Sequence, residues 1–320
     1  MHYLKYKDII LKPHDGRVFG RGMGAKGEFR FVLRDAKTDR VIQDTDWFDN
    51  LFLDEGIMNV GYPNWCSYIG IGDSAVPPTV LDLQLGNELA LAGASLYAEQ
   101  NGGSPDYEII TTMKGRFGDG VGDGTIREVG VRKSSTYYGG SLNYSFRTLL
   151  PAPVVKSSGQ VLDVFWRLTV FPDLTTDSGT FDWGGELYNY RTAPGLMQAG
   201  NNLTWTTWGN PGFNWLRTTG ASIDTGIEAR PSGGSAWFNG TSHETLIHVP
   251  GQRRLRWHIP LQGQDWNIQA IQFDMTTTRT SQYDQGLKVL FERASDNAPL
   301  TLLNTEIAYF DMEWTWGRLP

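Results

Sequence analysis

Apolar and polar residues alternate along most of this chain. Glu28-Phe29-Arg30-Phe31-Val32-Leu33-Arg34 has a period of two, Asp35-Ala36-Lys37-Thr38-Asp39 is rich in turn formers, and Arg40-Val41-Ile42-Gln43 resumes the strand pattern. Successive side chains of a strand face opposite ways, so this pattern predicts a hairpin with one buried face. Further strands are expected at 67–72, 107–113, 125–131, 141–150 and 161–171. In the last of these, Leu162, Val164, Trp166, Leu168 and Val170 share a face. The helical period is scarce. It predicts a helix over 49–60, capped by Asp49 or Asn50 and carrying Leu51, Leu53, Ile57 and Met58, and a short helical turn within 81–91.

A connector rich in Pro, Asp, Thr, Ser and Gly follows the long strand at 171–180 and divides the chain near its middle. The second half reads as a repeat of the first. Ser141-Leu142-Asn143-Tyr144-Ser145-Phe146-Arg147 resembles Gly286-Leu287-Lys288-Val289-Leu290-Phe291-Glu292, and each is followed by a proline-containing loop and a closing aromatic strand, at 161–168 and 307–314. Sheets with one apolar face must bury it against a second layer. The expectation is an all-β protein of two β-sandwich domains with jelly-roll or Greek-key wiring, at 28–172 and 173–320. Residues 1–27, with six Lys/Arg and a glycine-rich run at 20–24, read as an extended N-terminal arm that drapes over a neighbouring subunit.

Composition supports short strands joined by many loops: 38 Gly beside 12 Trp, 13 Tyr and 15 Phe in 320 residues. The net charge of −7 argues against a nucleic-acid partner, which needs clustered cations. Arg253, Arg254 and Arg256 fall in an expected strand and read as a solvated face or a subunit contact. A single cysteine, Cys66, rules out an internal disulfide. The first residues lack the apolar core of a signal peptide, and no stretch has the length of a membrane helix. Synthesis in a reducing cytoplasm without membrane insertion is expected.

Residues 50–172 carry a set of short motifs in order. Tyr68-Ile69-Gly70-Ile71-Gly72-Asp73 precedes Pro77-Pro78, then come Thr79, Asp82, Leu85 and Glu88 at three-residue steps. Later stand Thr125-Ile126-Arg127-Glu128-Val129-Gly130 and Phe146-Arg147-Thr148-Leu149. This order resembles a domain found in tailed-bacteriophage tail fibres and related virion structural proteins. The resemblance implies a virion location and an assembly role rather than a reaction. The partners it implies are other virion proteins and further copies of the chain, as a trimer or larger closed assembly. The segment 218–228 echoes the motif in the second half.

The same residues have a plain physical reading. Thr79, Asp82, Glu88 and Glu128 can hydrogen-bond the backbone of a long loop that has no ladder of its own, and so fix how it lies over a sandwich. Asp82 and Glu88 as a catalytic pair would need a nucleophile or metal that nothing nearby supplies. Asp119 and Asp123, in a glycine-rich run at 118–124, lack the spacing and closing glutamate of a calcium loop, and are the acids to consider if a cation binds. His243 and His248, five apart, fall on opposite faces of a strand and assemble no zinc site. Cys66 reads as a core thiol. No cofactor or catalytic centre is expected. The principal alternative is a glycan-binding receptor module with Trp205, Trp208, Phe213 and Trp215 as a stacking platform for host sugars; those rings equally suit a core or a subunit interface.

Overall fold

Asp35 makes the first hairpin. Its Oδ1 accepts the N–H groups of Lys37 and Thr38 at 3.0 and 2.8 Å, and Asp39 takes a left-handed φ of 55° to turn the chain. The computed structural model describes residues 7–11, 19–59, 66–101, 108–132, 143–198, 212–217, 221–224, 235–236, 243–249, 252–261, 265–276, 283–303 and 305–318. In chain order these give β1 (Lys7–Leu11), β2 (Phe19–Asp35), β3 (Val41–Asp44), β4 (Phe48–Asp49), β5 (Leu51–Phe52) and a short helix α1 (Asp54–Asn59). Then come β6 (Tyr68–Gly72), β7 (Glu88–Asn101), β8 (Ile109–Phe117), β9 (Gly124–Arg132), β10 (Tyr144–Lys156) and β11 (Gln160–Pro172). The second half contributes β12 (Ser178–Trp183), β13 (Glu186–Gln198), β14 (Gly212–Arg217), β15 (Ser235–Ala236), β16 (His243–Val249) and β17 (Gln252–Leu261). It closes with β18 (Trp266–Ile268), β19 (Ala270–Thr276), β20 (Tyr283–Arg293), β21 (Leu300–Leu302) and β22 (Glu306–Arg318). The protein is all-β.

Two layers enclose the first-half part of the main core, a single cluster that also takes in Phe181, Leu287 and Leu300 of the second half. One runs β2-β11-β8-β7, the other β7-β6-β9-β10-β5. Strand β7 belongs to both: up to Gly93 it pairs with β6, and from Ala94 onward with β8. Between the layers, Phe52 stacks on Phe146 at 4.3 Å between ring centroids, and Phe146 leans on Trp166 at 5.0 Å. Phe29, Phe31, Val164 and Trp166 face Ile69, Ile71, Val129 and Val131, all buried. At about 25 cal/mol per Å² of apolar surface, such burial is the main stabilising contribution.

The pairing order recurs in the second half. The strands β15-β14-β19-β20-β13 are wired in the sequence order of β7-β6-β9-β10-β5, and β16-β17-β22-β2 has the order of β7-β8-β11-β2, except that β22 runs parallel to β2 where β11 runs antiparallel to it. Strands β10, which holds the Tyr144–Arg147 part of the first heptapeptide, and β20, which holds the second, thus occupy matching places, as do the closing strands β11 and β22. The segment 221–224 buries Ile223 on Ala270 and Leu290. It covers β19 and β20 as Leu85 covers β10 through Tyr144.

Residues 1–27 contribute strands to the chain's own sheet where they are described. Strand β1 pairs in parallel with β22, and the boundary at residue 27 lies inside β2. Phe19–Ala25 runs parallel to Met312–Arg318 on one side, while Met23–Asp35 runs antiparallel to β11 on the other. Met23 and Gly24, at the end of the glycine-rich run, therefore sit between two strands, while Gly20 to Gly22 pair with β22. The helix expected over 49–60 is confined to Asp54–Asn59, because Asp49 pairs with β2 and Leu51–Phe52 with β10. The helical turn expected within 81–91 is not formed. Leu85 is drawn into a small cluster with Leu53 and Tyr144, and β7 begins at Glu88. Among the described residues no helix is long and apolar enough to cross a membrane.

Candidate functional site

The outer face of β6, β9 and β10 is built for a covering segment. Gly70 and Gly130 lie in register with Arg147, and Gly72 with Glu128. A side chain at Gly70 would collide with the Tyr144 hydroxyl, and one at Gly72 with the Asn87 carbonyl and the Glu128 carboxylate. The bare strand leaves room for two long polar side chains and for the loop 73–87 above them.

That loop is held by a charged node. Glu128, with no exposed surface, accepts the N–H groups of Gly86 and Asn87 at 3.0 and 2.8 Å. Arg147 donates to Glu128 from Nε at 3.0 Å, and its Nη2 lies 2.9 Å from the same carboxylate. Its Nη1 donates to Asp82, and Nη2 also donates to the Val76 carbonyl at 3.1 Å. Asp82 in turn accepts the N–H and hydroxyl of Thr79 at 2.9 and 2.8 Å. Two backbone bonds complete the attachment, from Tyr144 N–H to the Leu83 carbonyl and from Asp54 N–H to the Val80 carbonyl, both 2.9 Å. Glu88, at the loop's end, accepts from the Tyr144 hydroxyl at 2.5 Å and lies 3.6 Å from Arg132.

The electrostatics follow from this geometry. Burial opposes the charge on Asp82, but the Thr79 and Arg147 donors outweigh it and hold the carboxyl below its usual range. Burial and the adjacent Glu88 push the Tyr144 hydroxyl well up. A group with a depressed folded pKa stabilises the protein above its unfolded pKa, about 3.9 for Asp, and that contribution is lost as pH falls through the folded value. Asp163 is also depressed: burial opposes its charge, and Arg116 and Lys114 more than offset it. Urea midpoints are therefore expected to fall as pH drops below about 5. The decline should be shallower in Asp82→Asn.

Thr79, Asp82 and Glu128 meet in one node, with Glu88 at its margin. Arg147, which joins the acids, carried no assigned role in the sequence. Its signal was the set of glycines on the facing strands, Gly70, Gly72 and Gly130, which make space for a long side chain. The carboxylates of Asp82 and Glu128 are occupied by backbone and guanidinium donors, an arrangement that positions a loop.

The other candidates fall elsewhere. Asp119 accepts the Gly159 N–H at 2.6 Å, and Asp123 pairs with the buried Lys156 at 2.5 Å, so both tie the 118–124 loop to the turn between β10 and β11. Among the described side chains no three His, Cys, Asp or Glu converge as a metal site would require. Cys66 packs against the main core, and burial pushes its thiol up to about 12, far from a reactive thiolate. Trp205 and Trp208 lie outside the described residues. Phe213 and Trp215 sit on β14 opposite the consecutive residues Phe273 and Gln272, with a register shift between them. Arg253, Arg254 and Arg256 are on β17, where Arg254 faces Thr315 and Arg256 faces Glu313. No family model, curated protein or solved structure matches the chain.

Proposed function

We propose that this protein is a structural component of a tailed-bacteriophage particle, part of a fibre, baseplate, collar or decoration appendage. It works by shape and assembly, not by a reaction. The motif order across residues 50–172 supports the particle assignment. One observation carries the mode of action: the residues of that motif hold a surface loop in a single shape. Glu128 and Asp82 are locked through Arg147 onto Val76, Thr79, Gly86 and Asn87. A loop fixed this way presents a constant surface to a neighbouring protein without having to be ordered on contact, which lowers the cost of association. Its partners are other virion proteins and further copies of the chain, with host glycan as the contact of an appendage.

Antibody raised against the purified protein and conjugated to gold is expected to decorate intact particles at the head, neck or tail. Abundant protein in the lysate with no label on particles would overturn the assignment. Shortened host polysaccharide after incubation with the protein would overturn its non-enzymatic part.

A further inference from the structure

The side chain of Lys156 has no surface in contact with water. It lies near the end of β10, on the same side of the strand as the buried Val154. Its ammonium meets the carboxylate of Asp123, with Nζ 2.5 Å from Oδ1. By contrast Lys26 and Lys114, which also pair with acids, keep 44% and 26% of their side-chain surface exposed. The ladder and two glycines place the acid. Lys156 lies opposite Gly124 in register, so Asp123 stands one residue before that rung, at the entry to β9. Gly122 and Gly124, on either side of it, take positive φ values of 68° and 136°, which residues with a Cβ rarely adopt. A side chain at Gly122 would also strike Ile71 and Ala90. The glycines let the loop close down on the core and bring the acid to the amine.

An ion pair in such a place is costly to keep, because a lysine stripped of its hydration must be compensated entirely by its protein partner. Condensing the two groups into an amide removes both charges. The chemistry is ordinarily slow, but here the amine and the carboxyl are held in contact. Intramolecular reactions between well-placed groups reach effective molarities of about 10⁵–10⁸ M. Asp123 is 33% exposed, which leaves an exit for the water that condensation forms.

We propose that Lys156 and Asp123 join in an intramolecular isopeptide bond once the protein has folded. Nζ attacks Cγ of Asp123, the Nζ–Cγ bond forms, and the bond from Cγ to one carboxylate oxygen breaks. That oxygen leaves as water with two of the three ammonium protons, and the third remains as the amide N–H. The step needs no oxidant, reductant or further reactant. The crosslink joins positions 33 residues apart and fastens the 118–124 loop to the end of β10. The inference does not depend on the particle reading.

The test is high-resolution mass spectrometry of the full chain, purified folded and then denatured. The expected mass is that of the sequence less one water. A tryptic digest should contain residues 117–127 joined to residues 148–167, with no cut after Lys156. Lys156→Arg and Asp123→Ala should each restore the full mass. A succinimide at Asp123–Gly124 loses the same mass, but it leaves Lys156 open to trypsin and persists in Lys156→Arg, and that pattern would overturn the proposal. The full sequence mass after prolonged incubation of the folded protein would overturn it as well. If either variant does not fold, as judged by circular dichroism, the digest of the unaltered chain decides: cleavage after Lys156 with a free 117–127 peptide sinks the bond.

Discussion

Arg147→Ala is expected to lower the unfolding free energy by about 3–5 kcal/mol, the range seen when one partner of a buried ion pair is removed. The argument rests on Glu128. Its carboxylate has no exposed surface, and among the described residues the Arg147 guanidinium is the cation paired with it. Without Arg147, Glu128 stays buried with the Gly86 and Asn87 N–H groups alone, and Asp82 loses its anchor. Arg147→Lys keeps a charge but not the fork that reaches Glu128, Asp82 and Val76 together, so it should recover only part of the loss. Because an intact buried pair is often no better than an apolar replacement, Arg147→Met combined with Glu128→Gln should be less damaging than Arg147→Ala alone. Chemical denaturation measures each. Protease cleavage within 73–87 should quicken in Arg147→Ala, since the loop loses its grip at Val76 and Asp82.

Trp166→Ala should cost a similar amount, about 3–5 kcal/mol, through a different cause. Trp166 is among the largest fully buried side chains and meets Phe146 from the opposite layer, which itself stacks on Phe52. Removing the indole opens a cavity at the junction of the two sheets, and a chain anchored by β-ladders on both sides relaxes little to fill it. Trp166→Phe keeps a ring against Phe146 and should cost less. Far-ultraviolet circular dichroism through a guanidinium titration is the measurement, with twelve tryptophans making fluorescence a poor local probe.

The strands were legible where one face is buried. Leu162 to Val170 alternate because β11 turns Trp166 and Val164 to the core and Asp163 and Arg167 to its other face, where buried Asp163 is paired with Arg34, Lys114 and Arg116 and Arg167 with Glu28 at 2.6 Å. The 49–60 segment misled because Leu51, Leu53, Ile57 and Met58 mimic a helical stripe, yet Leu51 pairs with Arg147 of β10. Nothing local announces such long-range pairing. The 81–91 segment failed for a related reason: the backbone donors of Gly86 and Asn87 go to Glu128, some forty residues away. In the node, Thr79, Asp82 and Glu128 stood out as polar residues in or beside a loop. Arg147 did not, because a lone arginine in a strand usually faces solvent, and only the three-dimensional register sets it over glycines.

The parallel pairing of β1 and β2 with β22 has a mechanical meaning. Load applied at the Lys7 end of β1 and the Arg318 end of β22 pulls the two strands in opposite directions along their length. The rungs between them then resist together, in shear, instead of peeling one at a time. Traction applied in this manner passes through β1, β22 and β2 of the largest sheet and spares the loops.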